Sequence, residues 1–408
     1  MTRTRYGNSP WIEAVRSKKR PEFPVFRGDI TAPVVIIGAG MAGCMTAYAC
    51  AAAGVKVIVL EAARVGSGGS GRGPGWFSGD AAESFERLQA SAGRRVARAL
   101  FEASQAAPRE LAAAVKRLRI NASLELRPSI TVLGPGVPAK ALAREIAERS
   151  SADLGATWMS PATVARETKI ASAGGMQLRG WGVADPFRLT LGFAAAAARG
   201  GAKFFERSPV TRIGFDRRQA VVSLERGEIV SGTVIICTGE PTSLFKPLRR
   251  HFRYEDRYAV MTDTLPASAK AQLGTRAGIV CDTDSPSHRL WFTHDGRAVF
   301  SGADQKSPET RLREKTLVQR TGQLMYELTR LYPDISGVAP VHGWDVPLAH
   351  SSDDVLYAGP HRNFPHQLFA LGTLHDPARA YLASRILLRR VLGRPTREDE
   401  HFAFSRNL

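Results

Sequence analysis

Three glycines and one acid carry the chemistry easiest to read in this chain. Gly38, Gly40 and Gly43 lie in "VVIIGAGMAG" (Val34 to Gly43), with Ala39, Met41 and Ala42 between them, and Glu61 ends the next apolar run. In that spacing the first glycine permits a tight turn, the second lets backbone approach a pyrophosphate, and the third lets a helix pack closely on a strand. A helix that begins there offers unpaired N–H groups and the positive end of its dipole to phosphates. Glu61 stands where a carboxylate accepts hydrogen bonds from an adenosine ribose. The pattern predicts a dinucleotide site.

The elements needed to position these residues are legible around them. "PVVII" (Pro33 to Ile37) reads as a buried strand, "MAGCMTAYACAAAG" (Met41 to Gly54) as a helix of small and apolar residues stopped by Gly54, and "VKVIVLE" (Val55 to Glu61) as a second strand. Together they form one βαβ unit. The chain of 408 residues is long enough for one large or two ordinary cores, and 44% hydrophobic with 23% charged residues is the balance of a globular protein.

The net charge of +18 could steer acidic partners. No basic repeat or single-strand aromatic motif accompanies it, so the expected partner is a small molecule and not nucleic acid. Cys44, Cys50, Cys237 and Cys281 have neither zinc-site spacing nor that of a secreted disulfide framework, so no metal is expected. "RSKKRPEFP" is followed by no apolar signal-peptide core, and no stretch reaches a membrane span. A cytoplasmic protein with buried thiols is the expectation.

The segment after the acid, "EAARVGSGGSGRGPGWFSGD" (Glu61 to Asp80), separates the possible dinucleotides. It resembles the loop that lies against the flavin in the D-amino acid oxidase family, a group of flavoenzymes that includes glycine oxidase, sarcosine oxidase and proteins like gamma-glutamylputrescine oxidase. The matching residues are Gly68, Gly69, Ser70, Gly71, Arg72, Gly73, Pro74 and Gly75, with Ala62 and Arg64 just before them. Gly73 and Pro74 depart from the family pattern, and Pro74 has no N–H to donate. Downstream, "ADPFRLTLGFAAAAARGGAKFFERSPVTRI" is similar to the family's return to the cofactor domain, where the position of Val210 contacts adenine. "GTVIICTGE" matches a strand ending at Cys237, Thr238 and Gly239. "HQLFALGTLHDPARAYLASRILLRRVLG" reads as a strand, a turn from Gly372 to Pro377, and a helix with proline in its first turn. The resemblance turns that helix toward the flavin. The family usually places glycines in the turn, whereas this chain has Leu374, His375, Asp376 and Arg379.

The resemblance implies an α/β fold: an FAD-binding Rossmann-like domain of the glutathione reductase type, with an interleaved α+β substrate domain containing an antiparallel sheet. The expected division is an N-terminal extension over 1–32, a discontinuous FAD domain over 33–80, 184–240 and 357–395, and helical and substrate segments over 81–183 and 241–356. "DRYAVMTDTL", "AGIVCDTD", "HRLWFTH" and "RAVFSGAD" read as successive substrate-domain strands with turns at "DSPS" and "DG", followed by an amphipathic helix from Lys315 to Pro333.

The family implies hydride transfer from the carbon beside an amine or amino-acid nitrogen to flavin, with oxygen or another acceptor taking the electrons. His375 is the catalytic candidate, because a histidine beside the flavin titrates near neutrality. Tyr258, Arg289, Trp291 and His294 are the substrate candidates, Arg289 as a carboxylate clamp. No histidine lies between Glu61 and Asp80 and no cysteine follows Cys281, so non-covalent FAD is expected. Two rivals share the first βαβ unit: a hydroxylase whose flavin is reduced by NAD(P)H, and a degenerate member that binds FAD without amine oxidation.

Overall fold

The computed structural model describes residues 3–15, 20–134, 136–216, 219–284 and 286–406. The basic cluster Arg16–Lys19 and Ser285 of the "DSPS" turn lie outside the described residues.

Two sheets organise the chain. The first is built on Ile30–Ile37, whose β-branched run Val34 to Ile37 is buried on both faces, as a central parallel strand requires. Val57–Leu60 and then Lys203–Phe205 pair parallel on one side of it. Gly227–Gly239 and then Phe364–Leu371 pair parallel on the other, and Tyr357–His361 closes that edge antiparallel. A hairpin of Val210–Phe215 and Ala220–Leu224 extends the long Gly227–Gly239 strand.

Chain order thus reverses beside Ile37, the switch point where open α/β sheets leave a crevice at their carboxyl ends. The helix Met41–Ala52 carries small and apolar residues nearly all round and is buried accordingly, between the sheet and the helices Pro186–Arg199 and Pro377–Val391. Gly54, at φ +77°, ends its last turn in the left-handed region that suits glycine.

The second sheet is mostly antiparallel. Its order is Arg5–Tyr6, Pro340–Ser351, Phe252–Thr262, Ala298–Lys306, Arg289–Phe292, Ile279–Asp282, Glu125–Val132, Gly175–Val183 and Trp76–Phe77, and Thr157–Met159 also pairs with Gly175–Val183. Alternation along Phe252–Thr262 sends Tyr258 and Val260 to one face, where the helix Arg313–Leu331 covers them, and Ala259 and Met261 to the other. The second face packs into the same apolar core as the helices of the first sheet.

The N-terminal residues belong to this sheet. Arg5–Tyr6 adds a parallel edge strand beside His342 and Gly343. A short helix, Pro10–Ala14, follows, capped by the buried Ser9 and carrying proline in its first turn.

Candidate functional site

The glycine loop is determined by backbone collisions. Gly38 has φ +99°, and a Cβ there would stand 2.6 Å from the Cys237 carbonyl oxygen. A Cβ on Gly43 would fall on the carbonyl oxygen of Gly38. Only glycine lets these backbones approach so closely. At Gly40 the nearest atom to such a Cβ is the Ser70 hydroxyl, at 2.9 Å.

The Glu61 carboxylate braces the loop, accepting from the Ala39 and Ala63 N–H groups at 2.8 Å each. Ala62 lies in the turn between them, and Arg64 beyond it reaches Glu22 at 3.9 Å. Helix Met41–Ala52 starts from Gly40, with no side-chain cap of its own; the Ser70 hydroxyl accepts from Met41 N–H at 2.8 Å, and Ala42 is buried in the first turn. Thr238 turns its hydroxyl to the Glu240 carbonyl, and Gly239, at φ +79°, accepts from the Gly372 N–H. Val210 opens the hairpin strand on the same sheet. The sequence-predicted dinucleotide residues from the four strand ends therefore meet at one edge. Cys237 is a buried thiol pushed up to about 12 by burial, unsuited to nucleophilic work at neutral pH.

The Gly69–Arg72 turn and the residues after it are held by indoles. Trp344 Nε1 donates to the Arg72 carbonyl at 2.8 Å, Trp11 Nε1 to Gly73 at 2.9 Å, and Trp291 Nε1 to Pro74 at 3.1 Å. Ser9 donates to the Gly71 carbonyl. Three consecutive carbonyls thus each take one indole N–H. From the other side, His375 lies directly against Gly69: a methyl group placed there would overlap its ring.

Leu374 and His375 both adopt left-handed φ, +54° and +56°, a conformation uncommon outside glycine, asparagine and aspartate. His375 Nε2 is 2.6 Å from the Pro347 carbonyl, which makes it the donor nitrogen. Burial, with Arg72 nearby, holds its pKa below the ordinary value. Asp376 caps the helix Pro377–Val391, accepting from Ala378 and Arg379, and also accepts from Ser78 at 2.9 Å.

A cavity of about 790 Å³ opens between the N-terminal helix, the start of helix Pro186–Arg199 and the end of the second sheet. Trp11 and Trp291 line it, stacked with centroids 6.0 Å apart and planes 12° from parallel. Both also hold the glycine loop, so this pair, with Ala184, whose N–H donates to the Gly75 carbonyl at 2.7 Å, forms the wall between cavity and loop. His294 reaches the cavity from an exposed turn, 3.5 Å from Glu125.

Trp291 and His294 are therefore brought together; Tyr258 and Arg289 do not join them. Tyr258 is on the helix-covered face and takes a hydrogen bond from Gln305 at 3.1 Å. Arg289 lies over the Trp76 ring, 4.6 Å from its centroid, beside Arg257 and its partner Asp304. Burial, then the Arg257 charge, lower its pKa.

Sequence reasoning missed Trp11, Arg5, Glu13, Asp185 and His342, all of which line the cavity. Asp185 showed one signal, the Asp-Pro helix start, and it does cap that helix through Phe187 and Arg188 N–H groups at 3.0 and 2.9 Å. Burial raises its pKa to about 6. Among the described residues, no helix is long and apolar enough to cross a membrane, and the four cysteines are free and buried.

Comparison with known proteins agrees with this geometry. The chain is 25% identical over 341 residues to a probable oxidoreductase OrdL of Rhizobium meliloti, covering 82% of this chain and 77% of that one. It is 27% identical over 228 residues to gamma-glutamylputrescine oxidoreductase of Escherichia coli, covering 55% and 52%. Its fold matches glycine oxidase from Geobacillus kaustophilus with a TM-score of 0.76 at 18% identity, over 93% of this chain and 99% of that structure. The family model described as FAD dependent oxidoreductase (DAO) matches residues 33–375, and with that span of match the chain belongs to this family of FAD-dependent oxidoreductases.

Proposed function

We propose that this protein oxidises a C–N bond of an amine or amino acid, using FAD held without a covalent link, and that oxygen or another acceptor takes the electrons onward. The observation that carries the reading is the adjacency of two sites: the Gly38–Gly43 cradle with its Gly69–Gly75 loop, and a cavity whose lining residues Trp11, Trp291 and Ala184 bond directly to that loop. At the dinucleotide end the residues suit FAD. Positions 38 and 43 cannot carry a Cβ, Gly40 leaves the helix start uncapped except by Ser70, and each Glu61 carboxylate oxygen, already taking one backbone N–H, has a second lone pair for a ribose hydroxyl. Bound there, FAD would supply a two-electron acceptor, leaving an imine that water hydrolyses.

The chain's own residues would fix the loop through the indoles and exclude water with the same rings. For a flat ring to lie between the loop and the last helix, His375 must leave Gly69, which it now touches. That contact, together with Asp376 already satisfying the helix start, supports a second reading, a degenerate member that binds FAD without amine oxidation.

One experiment separates them. The purified protein is scanned for a flavin spectrum, precipitated with acid, and, intact, mixed anaerobically with a panel of amines and amino acids. Flavin released by acid and bleached by at least one compound supports the proposal. Released flavin that no compound bleaches supports the second reading, flavin left in the pellet refutes non-covalent binding, and rapid bleaching by NADPH refutes both in favour of a hydroxylase.

A further inference from the structure

The buried guanidinium groups of Arg127, Arg149, Arg257 and Arg406, none more than 12% exposed, each hold a carboxylate. Arg289 is half-buried and pairs with no acid among the described residues. Its Nη1 donates to the Ser287 hydroxyl at 3.0 Å, and its Nε is buried without a partner. The acids whose charges reach it are Asp304 and the exposed Glu83. Asp304 gives both oxygens to Arg257, at 2.9 and 2.5 Å, and Glu83 makes no ion pair with Arg289. A desolvated cation without its own counter-charge is costly, and burial followed by the Arg257 charge holds the Arg289 pKa below its ordinary value.

The edge left free is the one that takes carboxylates elsewhere in the chain. Arg257, Arg313 and Arg389 each meet an aspartate with Nε and Nη2 together, the fork that matches two carboxylate oxygens. In Arg289 that same edge has no acceptor among the described residues.

The unpartnered groups near it can also donate. Trp181 Nε1 and Ser129 Oγ are buried without hydrogen bonds, in residues 7% and 0% exposed. Cross-strand pairing of Ser129 with Ile279, and of Cys281 with Arg289, puts Ser129 and Arg289 on one face of the sheet. Trp76 links the rest: its ring stacks on Trp181 with centroids 5.9 Å apart, and the Arg289 guanidinium carbon lies 4.6 Å from its centroid. A set of free donors matches a ligand group made of acceptors.

We propose that Arg289, with Trp181 and Ser129 beside the Trp76 ring, forms an oxyanion site that takes a small carboxylate on its Nε–Nη2 edge. Arg289 does not line the cavity, and the inference goes beyond the proposed reaction without depending on it. The half-buried Trp76 ring, its indole N–H held by the Ser301 hydroxyl at 3.1 Å, is the group that moves aside to admit the ligand.

The test titrates acetate into the purified protein by calorimetry, with acetamide as its neutral isostere and chloride at matched ionic strength as the control for general anion binding. Acetate should bind at least about tenfold tighter than acetamide and raise the melting temperature, and chloride should do neither. Arg289→Lys keeps the charge but loses the fork, and should weaken acetate about tenfold. Trp181→Phe keeps the ring stack but removes one N–H, and should weaken it about threefold. Arg289→Gln should abolish binding and, without ligand, melt above the wild type, because it removes a buried unpaired charge.

Equal binding of acetate and acetamide, an equal response to chloride, or an affinity unchanged by Arg289→Lys or Trp181→Phe would overturn the inference. So would no binding of acetate, which would mean that ordered water alone satisfies these donors. If Arg289→Gln fails to fold, the wild-type series and Arg289→Lys still decide between these outcomes.

Discussion

Replacing Asp185 with asparagine should stabilise the protein at neutral pH, even though it removes a charge from a helix N-cap and from a cavity wall. Asp185 is 9% exposed, and burial outweighs its bonds to the Phe187 and Arg188 N–H groups, so its pKa rises from 3.8 to about 6. The folded chain therefore keeps a proton that the unfolded chain releases on passing pH 3.8, and stability falls as pH rises from there through about 6. A shift of about two pH units corresponds to about 3 kcal/mol, reached in full above pH 7. Asparagine caps a helix about as well as aspartate, and the ion pair it removes, to a half-exposed Arg188 at 3.4 Å, is of the kind that contributes under about 1 kcal/mol. Urea midpoints of wild type and Asp185→Asn, taken at intervals from pH 4 to 8 with the denaturant slope checked for constancy, give the comparison. The two should coincide near pH 4 and separate in favour of the variant up to neutrality. Parallel profiles, or a variant less stable at pH 8, would refute the argument that burial governs this carboxylate.

Two further outcomes follow from the same reasoning. Gly43→Ala places a methyl on the backbone of Gly38, whereas Gly40→Ala meets a serine hydroxyl that can rotate; the melting temperature should therefore drop sharply in the first and modestly in the second, while FAD content after purification falls in both because position 40 is where a pyrophosphate approaches, and equal losses of melting temperature would contradict the contact geometry. His361 has the opposite pH sign to Asp185. Burial, then His251 at 3.3 Å, lower its pKa to about 4, so the unfolded chain takes the proton first and stability is lost as pH falls from 6.5 toward 4; His361→Gln should flatten that acid limb in the urea series, and an unchanged limb would assign it elsewhere.

The parts of the site that could be read from sequence are those in which local geometry restricts the residue type. Gly38 and Gly43 are glycine because a Cβ at either would strike neighbouring backbone, and the surrounding run of strand, helix and strand announces the reason. The Asp185-Pro186 and Asp376-Pro377 helix starts are readable on the same ground, since cap and proline act within one turn. Tyr258 shows where such reading ends. Alternation along its strand is plain, yet which of two faces meets the helix Arg313–Leu331 depends on packing far away in the chain, and a shift of one residue inverts the answer. Trp11 is further from reach: "SPWIEA" predicts a capped turn, and nothing local says that its indole will be held by Gly73, 62 residues on.

The departure of the glycine loop from its family pattern finds a physical counterpart in those distant residues. Pro74 cannot donate a backbone N–H, so fixing this stretch through its donors is restricted at that position. It is fixed through its acceptors instead, with Arg72, Gly73 and Pro74 each taking an indole N–H, from Trp344, Trp11 and Trp291. These indoles come from three separate segments: the N-terminal helix and two strands of the second sheet. The loop's position is thereby coupled to the sheet that lines the cavity, and Trp11 and Trp291 belong to both. A ligand that displaced either indole would release a buried carbonyl on the loop, and leaving such a group unpaired costs about 1–3 kcal/mol. A ligand that leaves both N–H groups in place avoids that cost.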